Sequence, residues 1–218
     1  MDKWHELLIE MEALFGVDDD SDIKDYKITM VSETGSIKYP VIIREADGAV
    51  TVTTGGTTKT HKIFPVEVNI SAGETVIQGG VKNLRCSCNN LTAIDISECR
   101  SLETLDCYNN KLTEIDLLDS RKLLRLDCSR NNLKELDAVL CPDLCHLNVK
   151  KNDFTSRNLD KIVTGLMIDS NVRYGTLKLC ENGAALLGEN GKRAMAVLKQ
   201  RGWTVEILNI SEAEMGVE

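Results

Sequence analysis

Aromatic side chains make up only 4% of these 218 residues. The interior must therefore be built from Leu, Ile, Val and Cys, with few stacked rings available. No apolar run approaches the ~18–20 residues that cross a bilayer as a helix, so membrane insertion is not expected. Positive charge is also short: 26 Lys and Arg stand against 34 Asp and Glu, a net charge of −8. A general nucleic-acid binder would carry a basic field, so nucleic acid is not an expected partner. The opening residues lack a secretory pattern, because Glu6, Glu10 and Glu12 interrupt the apolar residues and no small-residue cleavage site follows. As written the chain is expected in the cytoplasm; had a leader been removed, the cell surface or the exterior would be expected instead.

Catalytic and metal-binding patterns are equally sparse. Eight Cys and three His are present, yet no paired C-x₂-C or His-x₃-His spacing accompanies Cys86 and Cys88. His146 adjoins Cys145, but neighbours on a strand face opposite sides, so the two cannot form a Cys–His pair there. Asp18, Asp20 and Asp22 begin like a calcium loop, but Ile23 and Thr29 stand where Gly and Glu are needed. Gly55-Gly56 and Gly79-Gly80 lack the context of a phosphate-binding loop. No cofactor, metal or catalytic residue is expected.

Against these absences stands a strong internal period. Leu84, Leu105, Leu126 and Leu147 follow one another at intervals of 21 residues, as do Cys86, Cys107, Cys128 and Val149. The same interval links Asn89, Asn110, Asn131 and Asn152, and then Leu91, Leu112, Leu133 and Phe154. Leu-x-Cys places both side chains on one face of a short strand. Stacked as parallel strands ~4.8 Å apart, such rungs turn each column into a buried ladder. Beyond the strand the backbone must turn, and an Asn amide can satisfy the polar groups that lose their partners. A second apolar set, Ile94/Ile96, Ile115/Leu117 and Leu136/Ala138, lines the opposite wall. That wall has no room for a full helix and is expected to be extended or irregular.

The pattern LxxLxCxxNxLTxLDLSxC resembles the leucine-rich-repeat family, in particular the bacterial cysteine-containing, 21-residue type of internalin-like surface proteins. The resemblance covers residues 80–156 and continues more loosely to the end. It implies a binding scaffold for protein or glycan, often at a cell surface.

Both ends depart from the repeat. Leu159, Ile162, Val163 and Leu166 predict an amphipathic helix, Leu177, Leu179 and Asn182 a further rung, and residues 191–201 a second helix ending at Gly202. Trp203, Val205 and Ile207 predict a last edge strand. At the other end, Trp4, Leu7, Leu8, Met11, Leu14 and Phe15 have helical spacing, followed by the acidic DDDSD. Residues 26–71 predict four or five antiparallel strands, with turns at Glu33-Thr34-Gly35, Asp47-Gly48 and Gly55-Gly56. The run DGAVTVTTGGTTKTH is similar to β modules that precede such repeats in gut-bacterial surface proteins. The expected architecture is a mixed α/β solenoid. An N-terminal helix and acidic linker (1–22) and a small antiparallel β domain (23–79) precede a parallel-sheet solenoid (80–218), whose helical C-terminal cap begins near residue 157.

Outward-facing positions of the strands vary while the inward columns hold constant, as a scaffold with a read-out face requires. The candidate partner-binding residues are Arg85, Asp106, Tyr108, Arg125, Asp127, Arg130, His146, Lys150, Lys151 and Lys178. Tyr108 is the aromatic among them, and the later cations invite an acidic segment of a protein partner. A non-catalytic protein-binding scaffold acting through its concave face is the leading expectation. An exported carbohydrate- or host-surface-binding adhesin, and an enzyme with a site near the N-terminal β domain, remain the alternatives.

Overall fold

A computed structural model describes residues 27–34, 39–169, 172–181 and 187–209. The expected N-terminal helix and acidic linker, Gly35 of the first expected turn and Asn182 of the further rung lie outside the described residues. Within them the strands join one sheet. β1 (Lys27–Ser32), β2 (Val41–Thr54), β3 (Thr57–His61), β4 (Val66–Val68) and β5 (Gly73–Arg85) come first, then β6 (Leu91–Asp95). The rung strands β7 (Thr104–Asp106), β8 (Arg125–Asp127) and β9 (His146–Asn148) follow, and β10 (Thr176–Glu181) and β11 (Thr204–Asn209) end the series. Helix α1 (Ser156–Asp169) lies between β9 and β10, and α2 (Glu189–Gln200) between β10 and β11.

One strand belongs to two kinds of pairing. The first half of β5 runs antiparallel to β1, from Lys27↔Gln78 to Ser32↔Gly73. Its last residues run parallel to β7, with Leu84 opposite Leu105. β5 therefore passes without interruption through the boundary expected between residues 79 and 80. β2 lies along the same strand, with Ile43 opposite Leu84 and Thr54 opposite Thr75, so the outer edge of the first rung is already paired.

Asp47-Gly48 is not the turn that the sequence predicts. β2 continues through it, and the register with β5 breaks between Asp47 and Thr51. Gly48 sits there at φ +78°, so this is a bulge inside one strand, held by a partner that does not turn. Gly79 and Gly80 lie opposite: a Cβ on Gly79 would come within 2.6 Å of the Ala49 carbonyl oxygen. Gly55-Gly56 does turn the chain, with both φ values positive (+54° and +76°) between the paired Thr54 and Thr57.

From β5 onward the columns stack as the period requires. Leu105↔Leu126 and Leu126↔Leu147 are register partners, followed by Leu147↔Leu177. Cys86, Cys107 and Cys128 are fully buried, as are Leu112, Leu117 and Leu123 around them. From the second rung on, the column's Asn ties two rungs together. The Asn110 amide nitrogen donates to the Cys107 carbonyl of its own rung (2.9 Å) and to Cys86 of the rung before (3.1 Å). Its Oδ1 accepts from the backbone nitrogens of Asn89 and Leu91, both at 3.0 Å. Asn131 and Asn152 repeat the pattern one and two rungs on.

The opposite wall is irregular over rungs two and three, apart from a 3₁₀ turn at Ala138–Leu140. In rung one it is the strand β6, because β1 is there to pair with it. Helix α1 packs Leu159, Ile162, Val163 and Leu166 inward. The Thr155 hydroxyl accepts from the Asn158 backbone nitrogen (3.3 Å) at its start. Gly202, at φ +84°, ends α2: its N–H donates to Lys199 and that of Trp203 to Leu198, both at 3.0 Å.

Asn131→Ala would leave the Leu112 N–H without its acceptor and take one of two ladder donors from each of the Cys107 and Cys128 carbonyls. It is expected to cost about 2 kcal/mol or more. A loss below about 1 kcal/mol in urea denaturation would refute the ladder's role. Ser120 lies fully buried between Cys99 and Cys141, one rung to either side, and among the described residues its hydroxyl has no hydrogen-bond partner. Ser120→Cys is expected to raise stability by about 1 kcal/mol, read as a higher urea midpoint.

Candidate strand-face site

The parallel strands bring the expected surface residues into two rows. Arg85, Asp106, Asp127 and Asn148 are successive register partners, and Lys178 and Glu206 continue the row. Asn83, Thr104, Arg125, His146 and Thr176 form the second row. The next residues along each rung divide. Tyr108 and Lys150 are half-buried, whereas Ser87 and Ser129, equivalent to them, are buried. That column is thus not uniformly outward, as the alternation implies. Past the strand, Cys88, Asn109, Arg130 and Lys151 all adopt the left-handed conformation, with φ between 54° and 60°. The chain begins its turn there, so strict alternation no longer governs.

Hydrogen bonds explain the buried serines. Ser87 Oγ donates to Asp106 Oδ1 (2.7 Å), and Ser129 Oγ to Asp127 Oδ1 (2.6 Å). Asn148 Nδ2 donates to the other Asp127 oxygen at 2.8 Å. Arg85 Nε lies 3.6 Å from Asp106 Oδ2, while its Nη2 donates to the Tyr108 hydroxyl at 3.5 Å. Burial pushes the Asp106 carboxyl up, and the Ser87 hydroxyl opposes that rise. Tyr108 is therefore a braced side chain, anchored to the rung before it.

At the C-terminal end the cations are partly neutralised. Lys150 Nζ and Lys178 Nζ both lie 3.3 Å from Glu206 Oε2, and hydrogen bonds from Lys178 and then Lys150 hold the Glu206 carboxyl below its usual range. Glu206 is absent from the residues expected at this surface. Its signal was available: with Trp203, Val205 and Ile207 inward, strict alternation sends Glu206 outward beside Lys178. Arg125, Arg130 and Lys151 are exposed, and among the described residues no carboxylate lies within 4.0 Å of them.

The inner columns face the other way chemically. Burial pushes the thiols of Cys86, Cys107 and Cys128 far above the ordinary cysteine value, and that of Cys141 up to about 12. A thiol so hard to ionise is a packing group, not a nucleophile.

Residues 80–120 match the family model for leucine-rich repeats, in two copies. These rungs are leucine-rich repeats. Among solved structures, the functional domain of InlJ from Listeria monocytogenes, which includes a cysteine ladder, is similar at 23% identity with a TM-score of 0.43. That likeness covers 59% of this chain and 25% of the other, so the chain spans about a quarter of that protein's length. No curated protein matches the sequence. Among the described residues, no helix is long and apolar enough to cross a membrane.

His146 gives the strand face a measurable pH response. Burial, then the neighbouring Arg125, and also Lys178, pull its imidazole below the ordinary value, against Asp127 and Glu206. With the folded value depressed, protons bind the unfolded chain more readily. The stability due to neutral His146 is complete above the unfolded value of about 6.5 and is lost as pH falls through the folded one. Between pH 7.5 and 5 the wild type is expected to lose roughly 1–3 °C of Tm more than His146→Gln. Parallel Tm profiles for the two proteins would contradict this.

Proposed function

We propose that the chain is a non-catalytic scaffold that binds a protein partner on the concave face of its leucine-rich-repeat sheet, closed at the far end by α1, α2 and β11 as a cap. The observation that carries this reading is the contrast between the two sides of each strand. Inward positions repeat Leu, Cys and Asn, with Val149 and Phe154 as apolar replacements in the last rung, while outward positions carry unlike polar groups, several of them braced by hydrogen bonds. Braced side chains lose little freedom on docking, which favours recognition over loose adhesion. Tyr108 supplies the anchor, held by Arg85.

An acidic segment of the partner suits Arg125, Arg130 and Lys151, strand-face cations that are exposed and, among the described residues, have no carboxylate within 4.0 Å. Lys150 and Lys178, already shared with Glu206, contribute orientation more than net charge. Asp106 and Asp127 would repel that segment from the earlier rungs and so set its position. The buried thiols are packing groups, and His61 is not among the residues that line the groove between β1 and α1.

The test is affinity capture from the source cell with the immobilised chain. A partner retained by the wild type is expected to be lost by Arg130→Glu plus Lys151→Glu, with a weaker dependence on salt. Tyr108→Ala is expected to weaken capture by about tenfold or more. Undiminished capture by both variants would remove the strand face from the binding surface.

A further inference from the structure

A second surface lies across the rungs, away from the strand-face rows. A groove of about 1050 Å³ runs from β1 and β6 over the irregular wall of rungs two and three to α1. Ile94, Ile115 and Leu136 form its floor, each 6–7% exposed. Val139 adds an exposed apolar edge beside α1. Six carboxylates line it: Glu74, Asp95, Glu114, Asp116, Glu135 and Asp137. All are exposed, and among the described residues none lies within 4.0 Å of a Lys or Arg nitrogen. Two lysines, Lys27 and Lys161, also line the groove. It therefore holds an excess of four negative charges by simple count, six carboxylates less two ammonium groups.

The repeat explains this excess and decides what can relieve it. Asp95, Asp116 and Asp137 recur at the 21-residue interval, as do Glu114 and Glu135, so like charges are stacked at the rung spacing of roughly 5 Å. Asp95 is held ionised by the Ser97 hydroxyl (2.7 Å) and backbone nitrogen, and Asp116 accepts from the Leu118 nitrogen at 2.9 Å. Among the described residues no three acidic or metal-ligating side chains converge as a metal ion needs. The carboxylates are strung out along a channel, so their complement is an extended polycation. The apolar floor between the rows calls for aliphatic groups along it.

We propose that this groove binds an extended peptide segment of a partner protein in which Lys or Arg alternates with small aliphatic residues. The cations would face the carboxylate rows and the aliphatic side chains the Ile94–Ile115–Leu136 floor. The proposal draws on none of the strand-face residues and stands whether or not that face binds.

The probe is a fluorescein-labelled nine-residue peptide of alternating Lys and Val, with a Glu-for-Lys peptide as control, titrated by anisotropy against the full chain. Saturable one-to-one binding at 50 mM salt is expected, weakening about tenfold or more at 200 mM. Glu114→Lys plus Glu135→Lys is expected to weaken it at least about tenfold, while Arg130→Glu plus Lys151→Glu changes it less than about twofold. These are exposed positions, and an unchanged thermal transition shows that each variant folds. Equal binding by the groove variant, or no saturable binding of the Lys–Val peptide, would overturn the proposal. So would displacement of the peptide by 1 mM calcium, because the site would then be an ion site.

Discussion

The turn that follows each short strand is the point on which the solenoid depends. There the backbone leaves the sheet while still enclosed, and its carbonyls and N–H groups must find partners without water. From the second rung on, one Asn per rung meets this need by donating to its own rung and the one before, while accepting from the earlier rung's turn. Because the amide spans two rungs, satisfaction and stacking are the same event. A rung cannot complete its hydrogen bonds without a neighbour, and it cannot bury its Leu and Cys without one either. The spacing from strand Leu through Cys to turn Asn is thus a physical requirement, since a slip there would misalign the apolar ladder and the amide ladder together. The opposite wall, by contrast, can lengthen, as it does around α1 between the register partners Leu147 and Leu177.

A repeat that needs neighbours has a difficulty at its first member, and β5 resolves it. Its last residues serve as the first rung strand while its earlier residues are fixed by β1 and β2. β2 also occupies the side of that rung where a preceding repeat would lie. The cost appears as the bulge at Asp47–Thr51 and the Cβ-free crossing at Gly79 and Gly80, where two strands of different direction and twist are reconciled. Linear sequence reading sees this region as a change of composition near residue 80. It cannot see that one strand serves both parts, because each half of β5 shows a strand pattern in its own right.

Much else was open to reading because it rests on local rules. Columns at a fixed interval, the helix over residues 159–166 and the Gly202 terminus follow from spacing and from backbone preference. Gly55-Gly56 was legible as a turn for the same reason, whereas Asp47-Gly48 carries an equally good turn signal and forms none. The difference lies in the partner strand, which is a long-range fact. At the strand face, the alternation and the period place Arg85, Asp106, Asp127 and Asn148 in one column, yet they do not show that Ser87 and Ser129 are covered there by hydrogen bonds to those acids. They also leave out Glu206, which arrives beside Lys150 and Lys178 from 56 and 28 residues further along the chain. Side-chain pairing across rungs is a property of register, and register is fixed only once the chain has closed.

Charge is distributed unequally between the two accessible sides, and that inequality has a physical meaning. On the strand face, acids and bases are interleaved: Arg85 meets Asp106, and Glu206 takes both Lys150 and Lys178. These paired groups are already held in place, while Arg125, Arg130 and Lys151 leave the same face with positive charge that no carboxylate within 4.0 Å offsets among the described residues. Across the rungs, carboxylates recur without cations between them, so repulsion is built in by the period itself. Exposure makes that repulsion tolerable in the free protein, because water and salt screen it. A ligand that excluded this water would strengthen every remaining charge contact, so a cationic chain would gain where a neutral one would lose. One stack of rungs therefore presents two chemically distinct faces, one of acids and bases joined across rungs and the other of accumulated carboxylates.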